Sequence, residues 1–202
     1  MANQKSVALR NAELDQTEVI AGTSARFMLF TGAQPANCAA ADTGTQLVNL
    51  AAAVDYMSNA AAGAKGLSAA ITGAAQTFAG PLVAGHYRIK DSAATTCHRQ
   101  GTVGIAVPLT TSLLTAANGN VLNFAATTGV AVGQTISGTG IVAGSTVIAL
   151  TGTTVTMSRA STAGVAMTAA ITFGYDMNLD NTSIASGQTV TFNSYNLTAD
   201  GA

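Results

Sequence analysis

The sequence predicts an all-β fold: an antiparallel β-sandwich, jelly-roll-like, with an inserted small β subdomain. Three observations predict it. From Ile171 to Leu179 every odd position is apolar and every even one is polar or Gly, the two-residue period of a strand with one wet face. Gly-bearing breaks recur at Thr31-Gly32, Asn118-Gly119, Ser137-Gly138, Thr151-Gly152 and Ser186-Gly187, spaced as the turns of a meander or sandwich. Between Gln100 and Tyr175 the only charged residue is Arg159, in a stretch of Thr, Ser, Gly, Ala and Val. Hydroxyls therefore do the work that surface charges usually do.

Taken in order, Arg26–Phe30 is the first strand. Leu47–Met57 is read as a strand, although its alanines favour helix and a helix over Leu47–Ala62 is the alternative. His86–Lys90 alternates with Tyr87 and Ile89 inward and His86, Arg88 and Lys90 outward. A turn at Asp91-Ser92-Ala93 joins it to Thr96–Val103 as a hairpin. Val103, Ile105 and Val107 continue the alternation until Pro108 ends it. Val121–Phe124, Thr146–Leu150, Thr153–Met157, Ile171–Leu179 and Thr189–Leu197 complete the strands. In Ile171–Leu179 both Phe173 and Tyr175 face inward. The expected division is a main sandwich of residues 1–109 with 173–202, in which 1–10 is a polar arm, and an inserted subdomain of residues 110–172.

Composition narrows the function classes. The chain has 202 residues, 48% of them hydrophobic, enough for one core and a small insert. A net charge of −1 gives no bulk attraction to nucleic acid or an anionic membrane. No apolar run is long enough to span a bilayer, and the start, Met1-Ala2-Asn3-Gln4-Lys5, does not lead into a signal-peptide core, so synthesis in the cytoplasm is expected. Lys5, Arg10, Glu13, Asp15, Glu18 and Arg26 concentrate charge within the first 26 residues. They suit either a polar arm that orders against a neighbour or a solvated first strand and turn. The basic members, Lys5, Arg10 and Arg26, are the candidate assembly-interface residues.

Chemistry-bearing constellations are sparse. Cys38 and Cys97 read as two half-buried thiols, with a bridge between them left open because sequence does not place their Cα atoms. Cys97 and His98, adjacent on a strand, point to opposite faces and do not readily share a metal with His86. A catalytic triad would have to use His86 or His98 with Asp91, which a hairpin explains better. Gly138-Thr139-Gly140 lacks the Lys and the helix start of a phosphate loop. Asp176 and Asp180 are the only close carboxylate pair, about 13 Å apart along a strand and too far for glycoside hydrolysis. Asn181-Thr182-Ser183 and Asn196-Leu197-Thr198 fit the glycosylation sequon by chance. The expectation is a protein that is not an enzyme and has no cofactor or metal.

Several segments carry a resemblance. Ser6-Val7-Ala8-Leu9-Arg10-Asn11-Ala12-Glu13-Leu14-Asp15, Leu29-Phe30-Thr31-Gly32-Ala33-Gln34-Pro35-Ala36, His86-Tyr87-Arg88-Ile89-Lys90-Asp91 with Gln100-Gly101-Thr102-Val103-Gly104, and Asp176 to Ile184 with Gly187-Gln188-Thr189-Val190 together resemble a family of small virion proteins of tailed bacteriophages. Its members include capsid decoration, or cement, proteins. The resemblance covers about Ser6–Pro108 and Tyr175–Thr198. It implies a virion protein made in the host cytoplasm that binds the capsid exterior as a homo-oligomer, with a trimer favoured. Its partners would be sister copies and the major capsid protein, with neither nucleic acid nor membrane, and it carries over no catalytic residues. The segment between is similar to Gly/Thr-rich β modules of phage and bacterial surface proteins. An adhesion or receptor-binding module of a head or tail fibre is the alternative reading.

Overall fold

The computed structural model describes residues 4–113, 115–166 and 168–199. The chain forms two compact units, residues 1–105 with 176–202 and residues 106–175. It is mostly β with two antiparallel-rich sheets, a sandwich-like all-β fold.

The first unit contains α1 (Val7–Ala21), β1 (Arg26–Thr31), β2 (Gln46–Ala51), β3 (Ala64–Gly66), β4 (Ile71–Ala74), β5 (Leu82–Lys90) and β6 (Cys97–Gly104). The second unit contributes β7 (Val107–Thr110), β8 (Val121–Asn123), β9 (Thr135–Gly138), β10 (Ser145–Leu150), β11 (Thr154–Met157) and β12 (Ala170–Gly174). The chain then returns to the first unit with β13 (Met177–Leu179), β14 (Ser183–Ile184) and β15 (Thr189–Thr198).

Beyond Ser6 the chain forms neither the arm expected over residues 1–10 nor a first strand, but the helix α1; residues 1–3 lie outside the described residues. The helix begins where the Ser6 hydroxyl accepts a hydrogen bond from the Leu9 amide at 3.2 Å, and it stops at Gly22, whose φ of 78° ends the helical path. Only Leu14 and Ala21 are buried along it, so the apolar periodicity that normally announces a helix is missing.

In the first unit the strand order is β2-β1-β5-β6-β13-β15-β3, with β4 also paired to β15 and β14 to β5. All pairings are antiparallel except β6 with β13, where Val103 and Gly104 align with Met177 and Asn178. The sheet folds back on itself: the Gln76 amide donates to the Leu47 carbonyl at 2.8 Å, and Gly73 of β4 lies against Leu50 of β2. Inside the fold Phe27 meets Tyr56, Phe192 and Tyr195 edge-on, with ring centroids 5.4, 5.7 and 6.2 Å away.

The expected inward–outward alternation of β5 is not what forms. His86, Tyr87, Arg88, Ile89 and Lys90 are all buried, because the segment between β1 and β2 covers the face that would otherwise be wet. The hairpin from β5 to β6 does form. Leu47–Met57 holds a strand only as far as Ala51, and no helix lies there.

The second unit is a six-stranded antiparallel sheet ordered β7-β12-β9-β10-β11-β8. Its core includes Leu122, Phe124, Ile136, Val147, Val155 and Phe173, with the Phe124 and Phe173 rings 5.4 Å apart and edge-on. Short strands leave many carbonyls off the ladder, and hydroxyls serve them: Thr111 Oγ1 donates to the Ala166 carbonyl at 2.7 Å and Ser145 Oγ to that of Val142 at 2.7 Å. This accounts for a Ser- and Thr-rich sequence with one charge.

Two alternating runs turn out to be broken. Ile171–Leu179 is not one strand but β12 and β13, which belong to different units, and Tyr175 at the break is half-buried instead of inward in the core. The run through Val103, Ile105 and Val107 divides likewise between β6 and β7, leaving Ile105 exposed. Pro108 sits inside β7 and does not end a strand; β7 is an edge, where a residue without an amide proton is tolerated.

Candidate functional site

Two buried polar clusters stand out in the first unit. Arg88, on β5, is 1% exposed and reaches across to the segment between β1 and β2. Its guanidinium donates to the carbonyls of Cys38 at 2.7 Å and Ala40 at 2.9 Å, and to Asp42 Oδ1 at 2.6 Å. Lys90 Nζ takes the other Asp42 oxygen at 2.7 Å. The guanidinium suits this task, since its rigid fork holds two donor nitrogens apart towards separate acceptors, Nη1 to Ala40 and Asp42 and Nη2 to Cys38. Cys97, the first residue of β6, brings its sulfur 3.2 Å from Arg88 Nε and 3.0 Å from Cys38 Sγ. Burial and the neighbouring Cys97 push the Cys38 thiol up to about 11.

The second cluster docks α1. Lys65 Nζ, buried on β3, pairs with Asp15 Oδ1 at 2.9 Å and Glu18 Oε2 at 3.2 Å. Glu18 Oε1 accepts the amides of Tyr56 and Met57, while Asp15 Oδ1 accepts that of Ala60. A weakly amphipathic helix is thus held by charge-assisted bonds to otherwise unserved backbone amides. The hydrogen bond from Lys65, then that from Ala60, holds the Asp15 carboxyl below its usual range. Beside this cluster lies a groove of about 440 Å³ lined by Asp15, Glu18, Val19, Val54, Asn59 and Lys65.

His86 is fully buried, stacked on Phe30 with centroids 5.3 Å apart. Its Nδ1 lies 3.1 Å from the Gly32 carbonyl, which can only accept, so Nδ1 carries the proton; Nε2 is buried without a hydrogen-bond partner. Burial, and then nearby Arg88, lower the tendency of the ring to protonate. The unfolded chain therefore takes up a proton near the ordinary histidine value of about 6.5, while the folded chain does so only at lower pH. Stability should fall as pH drops from about 7.5 to about 5.5, and His86→Gln should flatten that slope. Thermal unfolding across this range checks it; an unchanged slope in the variant would reject the assignment.

The sequence candidates occupy separate places. Lys5 pairs with Glu13 at 2.9 Å. Arg10 lies beside Gly63 with Nε buried, and Arg26 Nε donates to the Ser92 carbonyl at 3.1 Å. Asp91 does not pair with a histidine: it accepts from the Thr95 amide and hydroxyl, which lower its carboxyl to about 2. Asp176 accepts from the Thr102 amide and hydroxyl, and Asp180 from the Thr191 amide. Among the described residues, no group of three His, Cys, Asp or Glu side chains is placed to hold a metal. No described helix is long and apolar enough to cross a membrane. Sequence reasoning missed Asp42 and Lys65 altogether, for their partners lie far along the chain.

Compared with known proteins, the chain matches no family model, no curated protein and no solved structure.

Proposed function

We propose that this chain is a bacteriophage virion structural protein that binds the capsid exterior as an oligomer and stabilises the shell without chemistry. The observation that carries the reading is the outer flank of α1. Val19 and Ile20 are 68% and 62% exposed; Val19 lines the groove with Val54, itself 68% exposed, and Ile20 lies on the side of His98 and Arg99. A docked helix ordinarily turns charge outward, so these exposed apolar side chains call for a protein cover. The sparse charge of the chain and the resemblance of both its ends to decoration proteins support a shell and sister copies, with a trimer favoured, as that cover. Stabilisation follows from mass action, because a protein that binds the assembled shell and not its dissociated subunits shifts the equilibrium towards the intact particle.

Particles stripped of this protein are expected to release their contents at lower temperature or milder osmotic shock than complete ones. Adding the purified chain back should restore resistance, and Ile20→Asp should abolish the rescue while leaving the chain folded. Unchanged particle stability together with lost attachment to cells would replace this reading with an adhesion module.

A further inference from the structure

We propose that Cys38 and Cys97 form a redox-operated clasp, open as two thiols under reducing conditions and closed as a disulfide under oxidising ones, that locks the segment between β1 and β2 onto β6. The inference is independent of the capsid reading.

Geometry carries it. The two sulfurs lie 3.0 Å apart, although the residues are 59 positions apart in the chain. A disulfide needs the sulfurs to close to about 2.05 Å, an approach of about 1 Å. The backbone on the Cys38 side is already placed by other bonds: Arg88 grips the Cys38 and Ala40 carbonyls, and Asn37 Oδ1 accepts the Ala39 and Ala40 amides at 2.9 and 3.0 Å. Cys97 is fixed at the start of β6, with its sulfur under Arg88 Nε. Both cysteines are partly exposed, so a small oxidant reaches them. The segment they would lock also buries Arg88 and Lys90, so the clasp would reinforce the cover over β5.

The oxidant is a small-molecule disulfide. One cysteine, as its thiolate, attacks that disulfide to give a mixed disulfide and releases one small thiolate. The second cysteine, deprotonated in turn, attacks the protein sulfur of the mixed disulfide and releases the other. Two protons leave the cysteines and end on the two small thiols; the cysteines lose two electrons and the small disulfide gains them. Since the Cys38 thiol is pushed up to about 11, closure should quicken steadily as pH rises through the alkaline range.

The test treats the full chain with oxidised glutathione and follows free thiols, intact mass and thermal unfolding, with and without a reductant. Expected are loss of both thiols together, a mass lower by two hydrogen atoms, a single-chain band on a non-reducing gel, and a midpoint raised by roughly 5–10 °C that the reductant reverses. Cys38→Ser and Cys97→Ser should each abolish the rise. The wild-type comparison stands without them should either variant misfold. Stable glutathione adducts, disulfides between chains, or a closed bridge with an unchanged midpoint would each overturn the clasp.

Discussion

Replacing Arg88 with Met should cost about 3–5 kcal/mol of unfolding free energy. The methionine fills much of the same space, so the loss is one of polar partners. The Cys38 and Ala40 carbonyls lose their donors, and Lys90 alone remains for Asp42. Asp42→Asn should cost less, because Asp42 is 32% exposed and water reaches what the change strands. Arg88→Lys should fall between the two, since one ammonium cannot serve the same fork of acceptors. Denaturant unfolding of the three variants checks the order. A loss below about 1 kcal/mol for Arg88→Met would mean that the cover over β5 is held by something other than the guanidinium.

Phe173→Ala is expected to cost about 3–5 kcal/mol in the second unit, against a change within about 0.5 kcal/mol for Thr172→Ala. Phe173 is fully buried on β12, which is paired on both sides, and packs edge-on against Phe124, whereas Thr172 points to the half-exposed side of the same strand. The core of this unit is small, so a cavity there has few neighbours able to collapse into it. Unfolding curves followed by amide exchange in residues 106–175 separate the two variants. Equal losses at the two positions would contradict the facing of β12.

β1, β8, β10, β11 and β15 lie within a residue or two of the strands read between Gly-bearing breaks, although β1 is buried on both faces. The reading failed where burial has a non-local cause. His86, Arg88 and Lys90 look like an outward face because each is polar, and partners remote from the strand, chiefly between Gly32 and Asp42, make them interior. The helix escaped notice for the opposite reason: Ser6 and Gly22 bracket it as proper caps, but its inner face mixes Leu14 and Ala21 with the carboxylates of Asp15 and Glu18, so no apolar periodicity marks it. The run from Ile171 to Leu179 misled differently, since one uninterrupted alternation spans two strands whose partners differ. Cys38 and Cys97 are the two cysteines of the chain, yet no spacing encodes their approach, which Arg88 flanks by touching the Cys38 carbonyl and the Cys97 sulfur.

The parallel register of β6 with β13 bears on how the second unit could have been acquired. Antiparallel neighbours can be joined by a two-residue hairpin, but parallel neighbours need a return path of about a dozen residues or more. Residues 106–175 are that return path. Any shorter chain with the same strand order would still need a substantial excursion at this point. Lengthening such an excursion is cheap, because each doubling of a loop adds only about 0.6 kcal/mol to the entropy of closing it. The junction is accordingly a natural grafting point, where cargo of very different size could be spliced in without changing the register of the strands that flank it.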